Sequence, residues 1–279
     1  MSELIELFHY QYFINAILAS FLAAISCGIA GTYVVSRRIV FISGGITHTS
    51  FGGIGIGYFF GFNPVWGAAI FSVLSALGIE FFSGKGNIRN DSVIAMLWSL
   101  GMAIGVIFIY LTPGYAPNLM TYLFGSILTV NFTDLYMLGG LTLIIIAFFT
   151  LFFRRIQYIS FDQEYASTLN LKVGFINYSL MTLVALTIVF NIKLVGIILL
   201  LSMLTIPQNS ANLLTKDYKK IVFLSILIGF AGSLSGLVFS YFLNIPSGAT
   251  IIFSLVIIYI LLRFAMFLKK DLSTKPAAQ

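Results

Sequence analysis

His48 stands inside a long apolar stretch of the sequence, within Ser-Gly-Gly-Ile-Thr-His-Thr-Ser at positions 43–50. On a helix, Gly44, His48 and Gly52 recur at i, i+4 and i+8 and so share one ridge. Gly53, Gly57 and Gly61 form a second small-residue ridge at the same spacing, while Ser43, Thr47 and Ser50 add hydroxyls near the same level. A neutral imidazole is the commonest side-chain metal ligand, and a polar hollow edged by glycines would admit a transiently bound divalent cation. A second reading is equally physical. A lone histidine in a membrane helix often hydrogen-bonds to its neighbour, and small ridges let another backbone come close. Residue type and spacing leave both readings open.

The elements that hold this ridge follow from composition. Of 279 residues, 59% are hydrophobic and only 9% are charged, where a soluble domain carries about 25%. Surface-to-volume scaling rules out a soluble core with so thin a polar skin, so lipid must solvate the outer surface. The 25 glycines agree, because glycine is frequent where membrane helices touch. The single cysteine, Cys27, excludes an internal disulfide and any multi-cysteine metal site, and its small neighbours suit helix packing. The start, MSELIELFHYQYF, has two acids, Glu3 and Glu6, and no basic region, so no cleavable signal peptide is expected.

A membrane-crossing helix needs about 20 mostly apolar residues. By that measure the chain is an all-α, polytopic membrane protein with about nine spans, eight in an alternative count. They run roughly 13–35, 42–61, 64–83, 91–112, 132–153, 174–191, 194–214, 221–243 and 249–268. The stretch 118–130 is half the needed length and reads as a short helix or re-entrant piece. Residues 1–279 then form one transmembrane domain, with a polar cytoplasmic segment near 154–172.

Basic residues favour the cytoplasmic side of a membrane protein. Arg37, Arg38, Lys85, Arg89, Arg154, Arg155, Lys172, Lys216, Lys219, Lys220, Lys269, Lys270 and Lys275 all fall at alternate span ends, thirteen of the fifteen basic residues. Arg263 would snorkel toward the same face, and only Lys193 falls opposite. This predicts an outside N-terminus and a cytoplasmic C-terminus. The net charge of +6 therefore reflects topology and gives no reason to expect nucleic-acid binding. The outer loops are short turns, with Trp66 and Tyr115 placed as interfacial anchors. No phosphate-binding GxxxxGK[ST] occurs, so any ATP hydrolysis would come from another subunit.

Few other ionisable groups reach membrane depth, where they are functional suspects. Asp91 and Asp134 suit helix N-termini, and Glu80 lies close enough to Lys85 to reach the interface. Gln208 and Asn209, beside Pro207, suit either a pathway-lining element or a kinked helix end solvated from the cytoplasm.

Taken in order, four pieces resemble the permease subunit of bacterial ABC transporters for divalent metals, of the zinc, manganese and iron uptake type. They are RRIVFISGGITHTSFGGIGIGYFFG; DSVIAMLWSLGMAIGVIF with YLFGSILTV; SFDQEYASTLNL; and KLVGIILLLSMLTIPQNSANLL with NIPSGATIIF. The resemblance spans nearly the whole chain. It implies an importer subunit in the bacterial plasma (inner) membrane that is not itself an enzyme. Its partners would be a second copy of itself, two cytoplasmic ATPase subunits and an extracytoplasmic metal-binding protein. No cofactor would be held stably, the divalent metal ion being the cargo. His48 becomes the implied metal ligand, with Gly44, Thr47 and Gly52 along the pathway. Phe161, Asp162, Gln163, Glu164, Tyr165 and Ala166 become the implied ATPase-coupling element, on the face that basic residues assign to the cytoplasm. The sequence departs from the family at Gly44, where many relatives carry an aspartate, and at Asn244, where an acidic residue is common. Both changes remove negative charge from the pathway. A permease for a metal chelate such as a siderophore or cobalamin is the alternative cargo class. An ion-coupled secondary transporter would show intramembrane acids or an inverted repeat, and neither is evident.

Overall fold

The computed structural model describes residues 10–85, 89–113, 125, 127–169 and 171–274. Among them every regular element is helical. The elements are α1 (Gln11–Ser36), α2 (Val40–Phe60), α3 (Pro64–Lys85), α4 (Asn90–Leu111), a 3₁₀ turn at Ile127–Thr129, and α5 (Phe132–Leu151). They continue with α6 (Phe153–Phe161), α7 (Gln163–Thr168), α8 (Val173–Met203), α9 (Ile206–Leu214), α10 (Tyr218–Leu243) and α11 (Ser247–Thr274). Glu3, Glu6, Tyr115, Lys275 and most of the 118–130 stretch lie outside the described residues; the part described holds the 3₁₀ turn.

Among the described residues, seven stretches are long and apolar enough to cross a membrane: α1, most of α3, α4, α5, the run Val173–Leu214, α10 and most of α11. The nine expected spans map onto these differently in two places. The helix expected at 42–61 forms as α2, but its glycines, hydroxyls and His48 make it too polar to count among the seven. The spans expected at 174–191 and 194–214 lie within one 42-residue run instead of meeting at a loop near Lys193. Helix α8 passes straight through Lys193 and breaks at Gly196, whose φ of 76° and ψ of 166° leave the helical region. Glycine alone adopts that backbone without strain. A second break at Leu204–Thr205 separates α8 from α9, where Pro207 enters within the first turn.

Helices α1 and α8 are the most buried of the spans, and α4 and α11 the least. Two groups gather around that centre. Helices α2, α3 and α4 pack on one another and reach the centre through α8. Helices α9, α10 and α11 pack together and reach it through α1, on which α5 also lies. Large apolar side chains cover the outer faces of α4, α5, α10 and α11. In lipid this outward display carries no hydrophobic penalty, so association rests on close packing and internal hydrogen bonds.

Serine and threonine hydroxyls follow that rule. Ser20, Thr32, Thr142, Thr187 and Ser225 each donate to the carbonyl four residues earlier, satisfying their protons within their own helix.

Candidate metal pathway

Between Ile42 and Gly55, Gly44 and His48 are the two positions of α2 that escape full burial. They lie one turn apart on the accessible stripe. The His48 ring stacks on Trp98 of α4, with centroids 4.2 Å apart and planes 7° from parallel, and Phe51 flanks it at 6.4 Å. Its Nδ1 is buried without a hydrogen-bond partner. The hydrogen bond to a neighbouring helix that packing glue requires is therefore not formed by this nitrogen. Trp98 was not singled out by sequence, because a tryptophan in an apolar run carries no sign of its partner. Its 38% exposure leaves the stacked pair at the edge of the chain.

The glycines divide into two kinds. A side-chain carbon on Gly44 would meet nothing within 4 Å, so this position is open. The other glycines inside α2 are filled. A carbon on Gly53 would collide with the Gly67 carbonyl of α3, and one on Gly55 with that of Gly105 on α4, at 2.6 Å. Gly57 sits against Pro64, and Gly52 lies between Phe71 and Gly101. Gly61 does not extend the ridge. It ends α2 in the left-handed conformation, φ 74°, as helix-terminating glycines do. Thr47 is wholly buried, its hydroxyl donating 2.6 Å to the Ser43 carbonyl, and Ser50 donates to Thr47 in the same way. The accessible stripe of α2 thus carries Gly44 and the imidazole stacked on Trp98, and among the described residues no three His, Cys, Asp or Glu side chains gather as a metal cluster.

Asn244 has a conformational reason to be where it is. It closes α10 at φ 52° and ψ 43°, the left-handed region in which asparagine is among the best tolerated of the larger residues. Asp134 sits at the third position of α5 in a capping box with Asn131, which supplies the N-cap itself. Lys193, the lone basic residue away from the basic face, pairs with Asp134 at 2.6 Å. Asp91 caps nothing; Arg89 holds the N-cap position without a side-chain bond, and the two form an exposed ion pair at 3.8 Å.

Gln208 corrects the expectation of a solvated helix end. It is fully buried, and its Nε2 donates to the Cys27 carbonyl at 2.9 Å and to that of Met203 at 3.1 Å. The break before α9 frees the Met203 carbonyl, and the amide recovers it while tying α9 to α1. Glu80 also turns inward. Its Oε1 accepts from Asn177 Nδ2 at 3.0 Å, joining α3 to α8. Nothing in their sequence positions, 97 residues apart, announces that pair.

The segment near 154–172 folds as two short helices. α6 buries Ile156 and Ile159 and ends at Phe161. Asp162 then caps α7, accepting from Tyr165 N at 2.9 Å. Ala166 is buried as the anchor, whereas Phe161, Gln163, Glu164 and Tyr165 are exposed. Arg37 donates from Nη1 to the Ile159 carbonyl at 3.0 Å, fixing α6 to the end of α1. The expected coupling residues therefore form a continuous surface projection, with Asp162 shaping it, Ala166 anchoring it and four neighbours presented outward.

Residues 9–266 match the family model described as "ABC 3 transport family". An uncharacterized membrane protein of Synechocystis is 41% identical over 261 residues, covering 94% of this chain and 93% of its own. The manganese transport system membrane protein MntC of Listeria monocytogenes is 34% identical over 253 residues, covering 91% of this chain and 90% of its own. Among solved structures, PsaBC from Streptococcus pneumoniae in complex with Fab superposes with a TM-score of 0.83 at 28% identity, covering 94% of both chains.

Proposed function

The chain belongs to the ABC 3 transport family as a metal-transporter permease of the multi-pass membrane type, and from that premise we propose that it imports divalent manganese. The observation that carries the choice of metal is the 34% identity to a manganese system's membrane protein across nine-tenths of both chains. Zinc and iron are the runners-up, and a metal chelate is the alternative cargo class.

In this reading the basic face is cytoplasmic, with the N-terminus outside. Nine passages result if α2 is one crossing and the Val173–Leu214 run makes two, reversing at Gly196. Two copies stand side by side, the His48–Trp98 edge of each facing a shared pathway. An extracytoplasmic metal-binding protein delivers the ion to the short outer turns. Two ATPase subunits grip the projection formed by Phe161, Gln163, Glu164 and Tyr165, and their closure moves α6, which hydrogen-bonds directly to Arg37 of α1. The chain hydrolyses nothing itself.

The passing ion meets one imidazole per copy and no carboxylate at Gly44. Few, weak contacts suit passage, because conduction requires release as much as capture. The test is ATP-driven uptake into proteoliposomes holding the permease and its ATPase, compared across manganese, zinc and iron. Manganese should be accumulated preferentially. Accumulation of none of the three, with uptake of a chelate, would overturn the reading.

A further inference from the structure

At the basic end of the molecule, α5 and α10 both pack on α1 yet have no packed interface with each other. The gap is a cavity of about 820 Å³, within the range of sites that hold small organic ligands. Its two ends differ in chemistry. The deep wall is apolar, made by Ile29, Ile146, Phe149 and Val222. Ile29 lies seven residues before the end of α1, about 10 Å along the helix axis, so the wall reaches well below the basic end. The mouth carries Arg154, Arg155 and Lys219, all exposed, and among the described residues no acidic side chain lines the cavity.

The basic groups are held in place by aromatics. Arg155 lies 5.6 Å over the Phe152 ring, and Lys219 lies 5.2 Å over that of Phe153. Such contacts orient a cation without neutralising it. The nearest carboxylate in sequence, Asp217, is turned to the Lys220 amide, which donates to it at 3.1 Å. The flanking surface is apolar, with Leu151 80% and Phe223 62% exposed, as expected where acyl chains lie against the protein.

We propose that this cavity binds one anionic diacyl phospholipid, its phosphate between Arg154, Arg155 and Lys219 and an acyl chain along Ile29, Ile146, Phe149 and Val222. Charge complementarity names the headgroup, because guanidinium pairs match phosphate oxygens and basic pockets between membrane helices select acidic lipids. The depth of the apolar wall names a lipid over a free phosphate, which would leave that wall empty. The lipid fills the space between α5 and α10 and touches α6, the helix that leads into the coupling projection. The site does not depend on the cargo; the orientation proposed above decides only which leaflet supplies the lipid.

The test uses the full-length permease in nanodiscs of dioleoylphosphatidylcholine doped with spin-labelled phosphatidylglycerol or spin-labelled phosphatidylcholine. Wild type should immobilise the phosphatidylglycerol about a hundredfold more strongly, as three basic residues each attracted to an anionic lipid imply. The triple variant Arg154→Gln/Arg155→Gln/Lys219→Gln should bring the two lipids near parity. A control with equal charge loss outside the cavity, Lys216→Gln/Lys220→Gln/Lys269→Gln, should keep the preference. Ile146→Trp, which fills the apolar wall and leaves the basic mouth intact, should reduce immobilised lipid of either kind. Equal behaviour of triple variant and control, no preference in wild type, or an unaffected Ile146→Trp would each overturn the proposal. So would displacement of the lipid by added ATPase subunits, which would make the cavity a protein-docking site.

Discussion

Replacing Gly53 by alanine adds a single carbon to α2, and the structure fixes where that carbon must go. It lands on the Gly67 carbonyl of α3, and an alanine at Gly67 would strike the Gly53 carbonyl in return. Comfortable contact requires roughly 3.5 Å, so the two helix axes would have to part by about 1 Å or more. Neither partner is a flexible side chain that could swing away. Overpacking of this kind typically costs about 1–3 kcal/mol, and the loosening would spread to α8, which packs on both helices. Gly44 lies nine residues earlier on the same helix, and a carbon there meets nothing within 4 Å. Gly44→Ala should instead gain up to about 1 kcal/mol, because glycine is a poor helix former. Thermal unfolding of both variants in one detergent, followed by helical circular dichroism, reads the contrast directly. The expected result is opposite signs: Gly53→Ala melting below wild type, Gly44→Ala at or above it. A Gly53→Ala protein as stable as wild type would refute the division of these glycines into packed and open positions.

The open position invites a second change. Gly44→Asp would set a carboxylate one turn from His48 without a clash, and its charge should lower the manganese concentration for half-maximal uptake by about tenfold while slowing release at saturation; steady-state uptake curves check both. Gln208→Leu keeps the volume but strands the Met203 carbonyl, whose helical donor would be the N–H that Pro207 lacks, and removes the tie to the Cys27 carbonyl, so unfolding should become easier by about 1–3 kcal/mol, measurable as a lowered melting temperature. Asp162→Ala should weaken ATPase co-purification by unwinding α7, whereas Asp162→Ser, which preserves the cap, should retain most of it. Glu164→Ala leaves the cap intact, and loss of co-purification there would mark a contact made by the exposed surface itself.

The helices that face lipid were the most legible part of this sequence. Runs such as 64–83 and 132–153 announce themselves by length and apolarity, and α3 and α5 start at their expected residues, Pro64 and Phe132. Alternating basic clusters marked the ends. Legibility failed where tertiary contacts decide. Lys193 reads as a loop residue by its charge, yet α8 carries it, paired with Asp134, on to the break at Gly196. The hydroxyls of Thr47 and Ser50 suggested a polar hollow, but each is spent on its own helix. Gln208 appeared solvated because amides usually are, and only the freed carbonyl at Met203 gives it a buried role.

At the candidate site the ridge geometry was readable and the occupants were not. Spacing put Gly44, His48 and Gly52 in line, but it could not tell that α4 brings Trp98 to His48 and Gly101 to Gly52. Packing partners come from other helices, so a local period carries no record of them. The resemblance supplied the family and a role for His48, and the departure at Gly44 proves to be real open space.

The most direct test of the central claim is manganese uptake by the His48→Ala permease, reconstituted with its ATPase and supplied with ATP. The stacked ring carries no hydrogen bond through Nδ1, so its removal should leave the complex assembled. Uptake at limiting metal should fall by about tenfold or more, the scale on which disturbing a metal site is felt. Uptake equal to wild type, from a complex of equal yield, would contradict the account and return His48 to a purely packing role.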